Sequence, residues 1–222
     1  MDRQTLDQAT DSIRAEFEEI NQARDKAYQR SRKLVAMCAK AIRAIHRNDW
    51  ELSDRIIAQA KEAADDLTSD IDDYPSLYYA GYTQDALKEF VEAHLTYALV
   101  RDLPLPTHEE LSVEGNTWLN GLAEAATELR RRILDIIRHG HSDEAERLLD
   151  AMDEIYSILV TFDFNDSITG GLRRRTDTVR AVLERTRGDI TTSLRQAELA
   201  DALQALEAKI GENHNVADIN PD

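Results

Sequence analysis

Glu89 and Glu92, in the string LKEFVEA at residues 87 to 93, are the two side chains whose type and spacing best suit chemistry in this chain. Three positions apart on a helix, two carboxylates reach one face. Carboxylate oxygens held side by side suit a divalent cation such as Mg²⁺, which takes one or two acids and keeps waters for a phosphate-bearing substrate. A second acidic group, Asp150, Asp153 and Glu154, has the spacing of mutual neighbours on a helix. Antiparallel packing of its helix beside the first pair would complete an oxygen-only cage for Mg²⁺ or Mn²⁺. The plainer reading of each group is a solvated acidic helix face, with Leu87, Phe90, Val91 and Leu95 forming the buried stripe and the two glutamates outside it. Glu128, among Leu122, Ala125, Ala126 and Leu129, reads as a structural partner for an arginine on a neighbouring helix.

Other catalytic vocabulary is sparse. The six histidines form no HExxH pair, and His139-Gly140-His141 sits where a helix end favours histidine. There is no phosphate-cradling glycine loop, no GxSxG elbow and a single cysteine, Cys38, so neither a disulfide nor a thiolate zinc site forms within the chain. Basic residues group as Arg24, Lys26, Arg30, Arg32 and Lys33, as Arg130 to Arg132, and as Arg173, Arg174 and Arg175 with Arg180, Arg185 and Arg187. Guanidinium forks suit phosphate oxygens; in an acid-rich chain they equally suit surface ion pairs.

The elements that must position these groups are helices. Only 4 prolines and 8 glycines interrupt 222 residues rich in Ala, Leu, Arg, Glu and Gln, and no linker divides them, which predicts one all-α domain over 1–210 and a loose polar tail over 211–222. Helical periodicity predicts helices over about 3–47, 51–67, 77–100, 116–138, 143–161 and 172–210. Thr107 with Glu110 predicts a capping box for a short helix, and Ser142 an N-cap. Long helices with short links predict an antiparallel bundle. A formal net charge of -16, from 43 acidic and 27 basic residues, excludes generic polyanion binding, so any nucleic-acid site must be a local basic concentration. The lysine-poor, acid-rich composition suits a salt-rich cytoplasm, where a Debye length near about 3 Å at 1 M leaves only close contacts to bind phosphate. The first 20 residues lack an apolar core and no window reaches a membrane span, so the expectation is a cytoplasmic protein without a membrane partner.

Four separated segments carry a family resemblance. RDKAYQRSRKLVAMCAKAIRAIHR at 24–47, ALKEFVEAHLTYALV at 86–100, GLAEAATELRRRILDIIRHG at 121–140 and NDSITGGLRRRTDTVRAVLE at 165–184 together resemble the translin superfamily, in its order and over about residues 20 to 195. The likeness is closer to the translin-associated factor X branch, because EFVEA keeps two acids that the translin branch lacks. The resemblance implies about seven helices, assembly into a closed barrel-like oligomer such as a homo-octamer, and single-stranded RNA, or single-stranded DNA, on the inner surface. It further implies a Mg²⁺-dependent endoribonuclease with Glu89 and Glu92 as catalytic ligands. The later acid is Glu154 if the downstream aromatic is the anchor and Asp153 if the acid itself is, with Asp150 in reserve. Arg24, Lys26, Arg30, Arg32, Lys33, Arg173, Arg174 and Arg175 would hold the RNA backbone. The alternatives are a translin-like nucleic-acid binder without cleavage and a purely structural helical oligomer.

Overall fold

A computed structural model describes the backbone of residues 3–140 and 142–217, with side chains to residue 210. His141 and residues 218–222, parts of the His-Gly-His and tail readings, lie outside the described residues. Within them the chain forms eight helices and no strand: α1 (Arg3–His46), α2 (Trp50–Ser69), α3 (Pro75–Tyr78), α4 (Gly81–Arg101), α5 (Gly115–Ile137), α6 (Asp143–Leu159), α7 (Asp166–Thr169) and α8 (Leu172–Ala217). Residues 211–217 continue α8, so helix extends into the segment expected as a tail.

Local chemistry explains where helices start and stop. Ser142 caps α6 by accepting from the Ala145 amide, and Asp49 does the same for α2 at Leu52. The helix expected over 77–100 is two elements, because Ala80 is extended (φ -65°, ψ 142°). Thr83 Oγ1 and Gln84 Nε2 donate to the freed carbonyls of Leu77 and Tyr78, at 2.7 and 2.8 Å, and compensate the break. The Thr107–Glu110 capping box forms reciprocally, yet only turns follow, and Ser112 adopts φ 57° before α5 begins.

Side-chain ties give the directions. α1 and α2 are antiparallel, held by Lys26 and Arg30 on Asp70 and by Arg30 on Asp66; Asp54 of α2 meets Tyr97 and Arg101 near the far end of α4. Gln84–Thr117 and Lys88–Glu124 climb α4 and α5 together, so this pair is parallel, and residues 102–114 return the chain, pinned where Trp118 Nε1 donates to Pro106 O. α6 runs back along α5 through Arg132–Glu144, and α8 forward again through Arg175–Glu124 and Arg130–Asp189. α4 lies centrally, in contact with α1, α2 and α5. Its Leu87, Phe90, Val91 and Leu95 are fully or almost fully buried, each contributing about 1.5–3 kcal/mol. The outer ends of the two long helices stand clear of this core: α1 exposes Leu6, Ile13 and Phe17, and α8 exposes Leu199, Leu203, Leu206 and Ile210. No helix among the described residues is long and apolar enough to cross a membrane.

Candidate metal centre

The site exists because α4 and α5 come unusually close. At Gly121 a Cβ would sit 2.5 Å from Val91 Cγ1 and 3.1 Å from the Lys88 carbonyl, a separation no other residue tolerates without displacement. One turn further along α5, this approach delivers Glu124 to Glu89 and Glu92. One carboxylate oxygen from each of the three lies within 4.8 Å of the others. Oxygens ligating one octahedral Mg²⁺ at about 2.1 Å lie about 3.0 Å apart when adjacent and about 4.2 Å when opposite, so the three acids are grouped on the scale of one ion and would draw closer on binding it.

Electrostatics mark the cluster as under-neutralised. Glu92 was expected on a solvated flank, but it is only 8% exposed, because α4 packs against both α1 and α5. Burial, then the charges of Glu89, Glu124 and Glu128, push its carboxyl up to about 8, against the opposing pull of Lys88. Lys88 Nζ lies 2.7 Å from Glu124 and 3.3 Å from Glu89. Arg175 Nε donates to Glu124 at 3.0 Å. Its guanidinium is itself positioned: Nη1 donates to Asn120 Oδ1 and to the Gly170 carbonyl, exposed where Gly170 turns left-handed (φ 61°) at the end of α7. Two fixed cations thus face three buried or half-buried acids, and Glu128 adds its charge at Glu92. Cys38 of α1 lies beneath, its thiol pushed up to about 12 by burial and then by Glu89 and Glu92, and it stays protonated. Glu128 is held by a histidine and not by the arginine expected from the sequence: His46 Nε2 lies 2.7 Å from its Oε2.

The second acidic group is elsewhere. Asp153 is exposed and accepts from Arg187 at 2.7 Å. Glu154 and Asp150 are exposed and line a shallow groove with Leu99, Asp102 and Arg147. The physical reason is that α6 packs its Leu148, Met152, Ile155 stripe onto α5 and α8, which turns Asp153 and Glu154 outward. Neither joins the Glu89–Glu92 pair, whose third member is Glu124. Sequence reading missed Glu124 although a signal was present, since a carboxylate among Gly121, Ala123, Ala125 and Ala126 lies where small residues let helices approach.

The basic groups divide. Lys26 and Arg30 bind Asp66 and Asp70 and tie α1 to α2. Arg24 pairs with its neighbour Asp25. Arg32, Lys33, Arg173 and Arg174 are exposed, and Arg175 alone of this set touches the acidic cluster.

No family model matches the chain. A protein of Methanocaldococcus jannaschii is 31% identical over 187 residues, 83% of this chain and 82% of the relative. Among solved structures, AfC3PO superposes with a TM-score of 0.79 at 30% identity, both by itself and in a complex with duplex RNA, over 86% of this chain and at least 98% of that one. NeC3PO without ligand, at 21% identity and a TM-score of 0.76, shares the fold. From these matches and the shared helical architecture, the chain belongs to the C3PO/translin family.

Proposed function

We propose that this protein is a metal-dependent endoribonuclease of the translin-associated factor X type, acting on RNA within a homo-oligomer in the cytoplasm. The convergence of Glu89, Glu92 and Glu124 carries the reading. Three acids forced together, one of them a buried carboxyl that resists ionisation, cost stability in the empty fold, and a divalent cation of Mg²⁺ or Mn²⁺ type relieves that cost. Such an ion supplies Lewis acidity toward a phosphate oxygen and lowers the pKa of a coordinated water. The chain's own residues supply the rest. Lys88 and Arg175 place positive charge at the rim of the acids, where a phosphodiester would lie. Glu128, fixed by His46 and felt electrostatically at Glu92, is the carboxylate that would accept a proton from attacking water. AfC3PO's complex with duplex RNA supports RNA as the ligand class. The exposed apolar stripes at the ends of α1 and α8 support self-association, with a closed octamer as the expected form.

A second reading has its own observation. Lys88 and Arg175 already bridge the acids, which favours a structural network in a nucleic-acid binder without cleavage. Fluorescent single-stranded RNA incubated with Mg²⁺, Mn²⁺ or EDTA separates the two. The nuclease reading expects cleavage with metal, none with EDTA, and at least a hundredfold loss in Glu89→Gln and Glu124→Gln. RNA retention with no metal-dependent product supports the binder.

A further inference from the structure

Tyr28 of α1 is a large aromatic ring left 41% exposed. Its centroid is 5.5 Å from that of Tyr82 on α4, with ring planes at 82°, so Tyr82 buttresses it in an edge contact. Arg24 Cζ lies 6.0 Å from the Tyr28 centroid, and among the described residues its one ion pair is with adjacent Asp25, so it can swing aside. Arg32, one turn along α1, is exposed and has no ion-pair partner among the described residues.

The placement links this ring to the acids. Tyr28 and His46 are about five turns apart on α1 and therefore share a face. His46 meets Glu128 at one end of that face, and Tyr28 meets Tyr82 at the other. On α4, the step from Tyr82 to Glu89 and Glu92 spans about 10–15 Å. That distance corresponds to about three to four stacked nucleotides at 3.4 Å each. Two buried hydroxyls near the tyrosine pair lack a hydrogen-bond partner: Tyr82 Oη and Ser31 Oγ, the latter in a side chain 2% exposed and three residues from Tyr28. Buried polar atoms without partners mark places where a ligand or water completes the bonding.

We propose that Tyr28, buttressed by Tyr82 and flanked by Arg24 and Arg32, is a base-stacking platform for an unpaired nucleotide three to four positions from the phosphate held at the acids. It rests on the RNA-binding reading above and deepens it by naming the side chain that would take an unpaired base. A base inside a duplex is already stacked and cannot lie on the ring, whereas every unpaired base offers a face to it.

The test measures anisotropy of a fluorescein-labelled oligo(A) and of a blunt RNA duplex in EDTA, where no cleavage interferes, for the full chain and the Tyr28→Leu and Tyr28→Phe variants. Leucine keeps an apolar contact on Tyr82 and removes the ring; phenylalanine keeps the ring. The expected result is a loss of about 5- to 150-fold in oligo(A) affinity for Tyr28→Leu, the range of aromatic–base stacking. Affinity within about twofold of the parent is expected for Tyr28→Phe and for either variant on the duplex. Tyr28→Leu binding oligo(A) as tightly as the parent overturns the platform while leaving RNA binding intact. Equal losses on oligo(A) and duplex also overturn it, since stacking on an unpaired base would not weaken both. A parent protein that binds neither RNA overturns the RNA reading and the platform with it.

Discussion

Glu92→Gln is predicted to make the metal-free protein more stable at alkaline pH while abolishing its response to metal. The folded state holds the Glu92 proton up to about pH 8, whereas an unfolded chain releases it near 4.5. Between those values the folded state binds more protons than the unfolded state, so the stability contributed by Glu92 falls as pH rises. The ceiling is about 1.4 kcal/mol per pH unit, or about 5 kcal/mol across the window. Water penetration and slight helix separation relieve part of this, so about 1–3 kcal/mol is expected at pH 8. Glutamine copies the neutral carboxyl and has no proton to lose. Urea unfolding followed by helical circular dichroism, in EDTA at fixed protein concentration, checks this at pH 5, 6, 7 and 8. Parent and variant should have similar midpoints at pH 5 and diverge upward, with the variant the more stable. Adding Mn²⁺ at pH 8 should raise the parent's midpoint and not the variant's. A variant less stable than its parent at pH 8, or parallel pH profiles, would refute the argument that the acids are crowded in the empty fold.

Further outcomes follow from single contacts. Gly121→Leu drives a side chain into Val91 and is expected to cost about 1–3 kcal/mol or more in urea midpoints and to lower Mn²⁺ affinity at least tenfold by titration calorimetry. The double substitution Asp153→Asn/Glu154→Gln should leave cleavage rates within about twofold, because both acids face away from the cluster; a loss of a hundredfold would reinstate them as ligands. His94 packs on Phe90, and burial lowers its imidazole to about 4, so the folded state resists protonation and stability contributed there is lost as pH falls from about 6.5 toward 4. His94→Phe should flatten that acid limb of the urea midpoint profile, and an unchanged limb would contradict it.

The sequence was most informative where a rule acts locally. Ser142 and the Thr107–Glu110 pair announce their own hydrogen bonds. Glu89 and Glu92 were legible as a pair because spacing alone puts them on one face. What was not legible depends on packing between distant segments. A helical wheel treats the side away from an apolar stripe as solvent, whereas α4 is enclosed, and Glu92 is buried for that reason. The third acid required knowing that α4 and α5 run parallel and nearly touch at Gly121, which no periodicity in either segment states. The break at Ala80 was missed although its contacts are local, Thr83 and Gln84 reaching back six residues to Leu77 and Tyr78.

The central claim is that Glu89, Glu92 and Glu124 form one cation site. Anomalous diffraction from crystals soaked in Mn²⁺ tests it most directly. The account predicts a peak about 2.2 Å from one oxygen of each of the three carboxylates, absent in Glu124→Gln crystals. A peak at Asp153 or Glu154, or none while Lys88 keeps its place between Glu89 and Glu124, would contradict it.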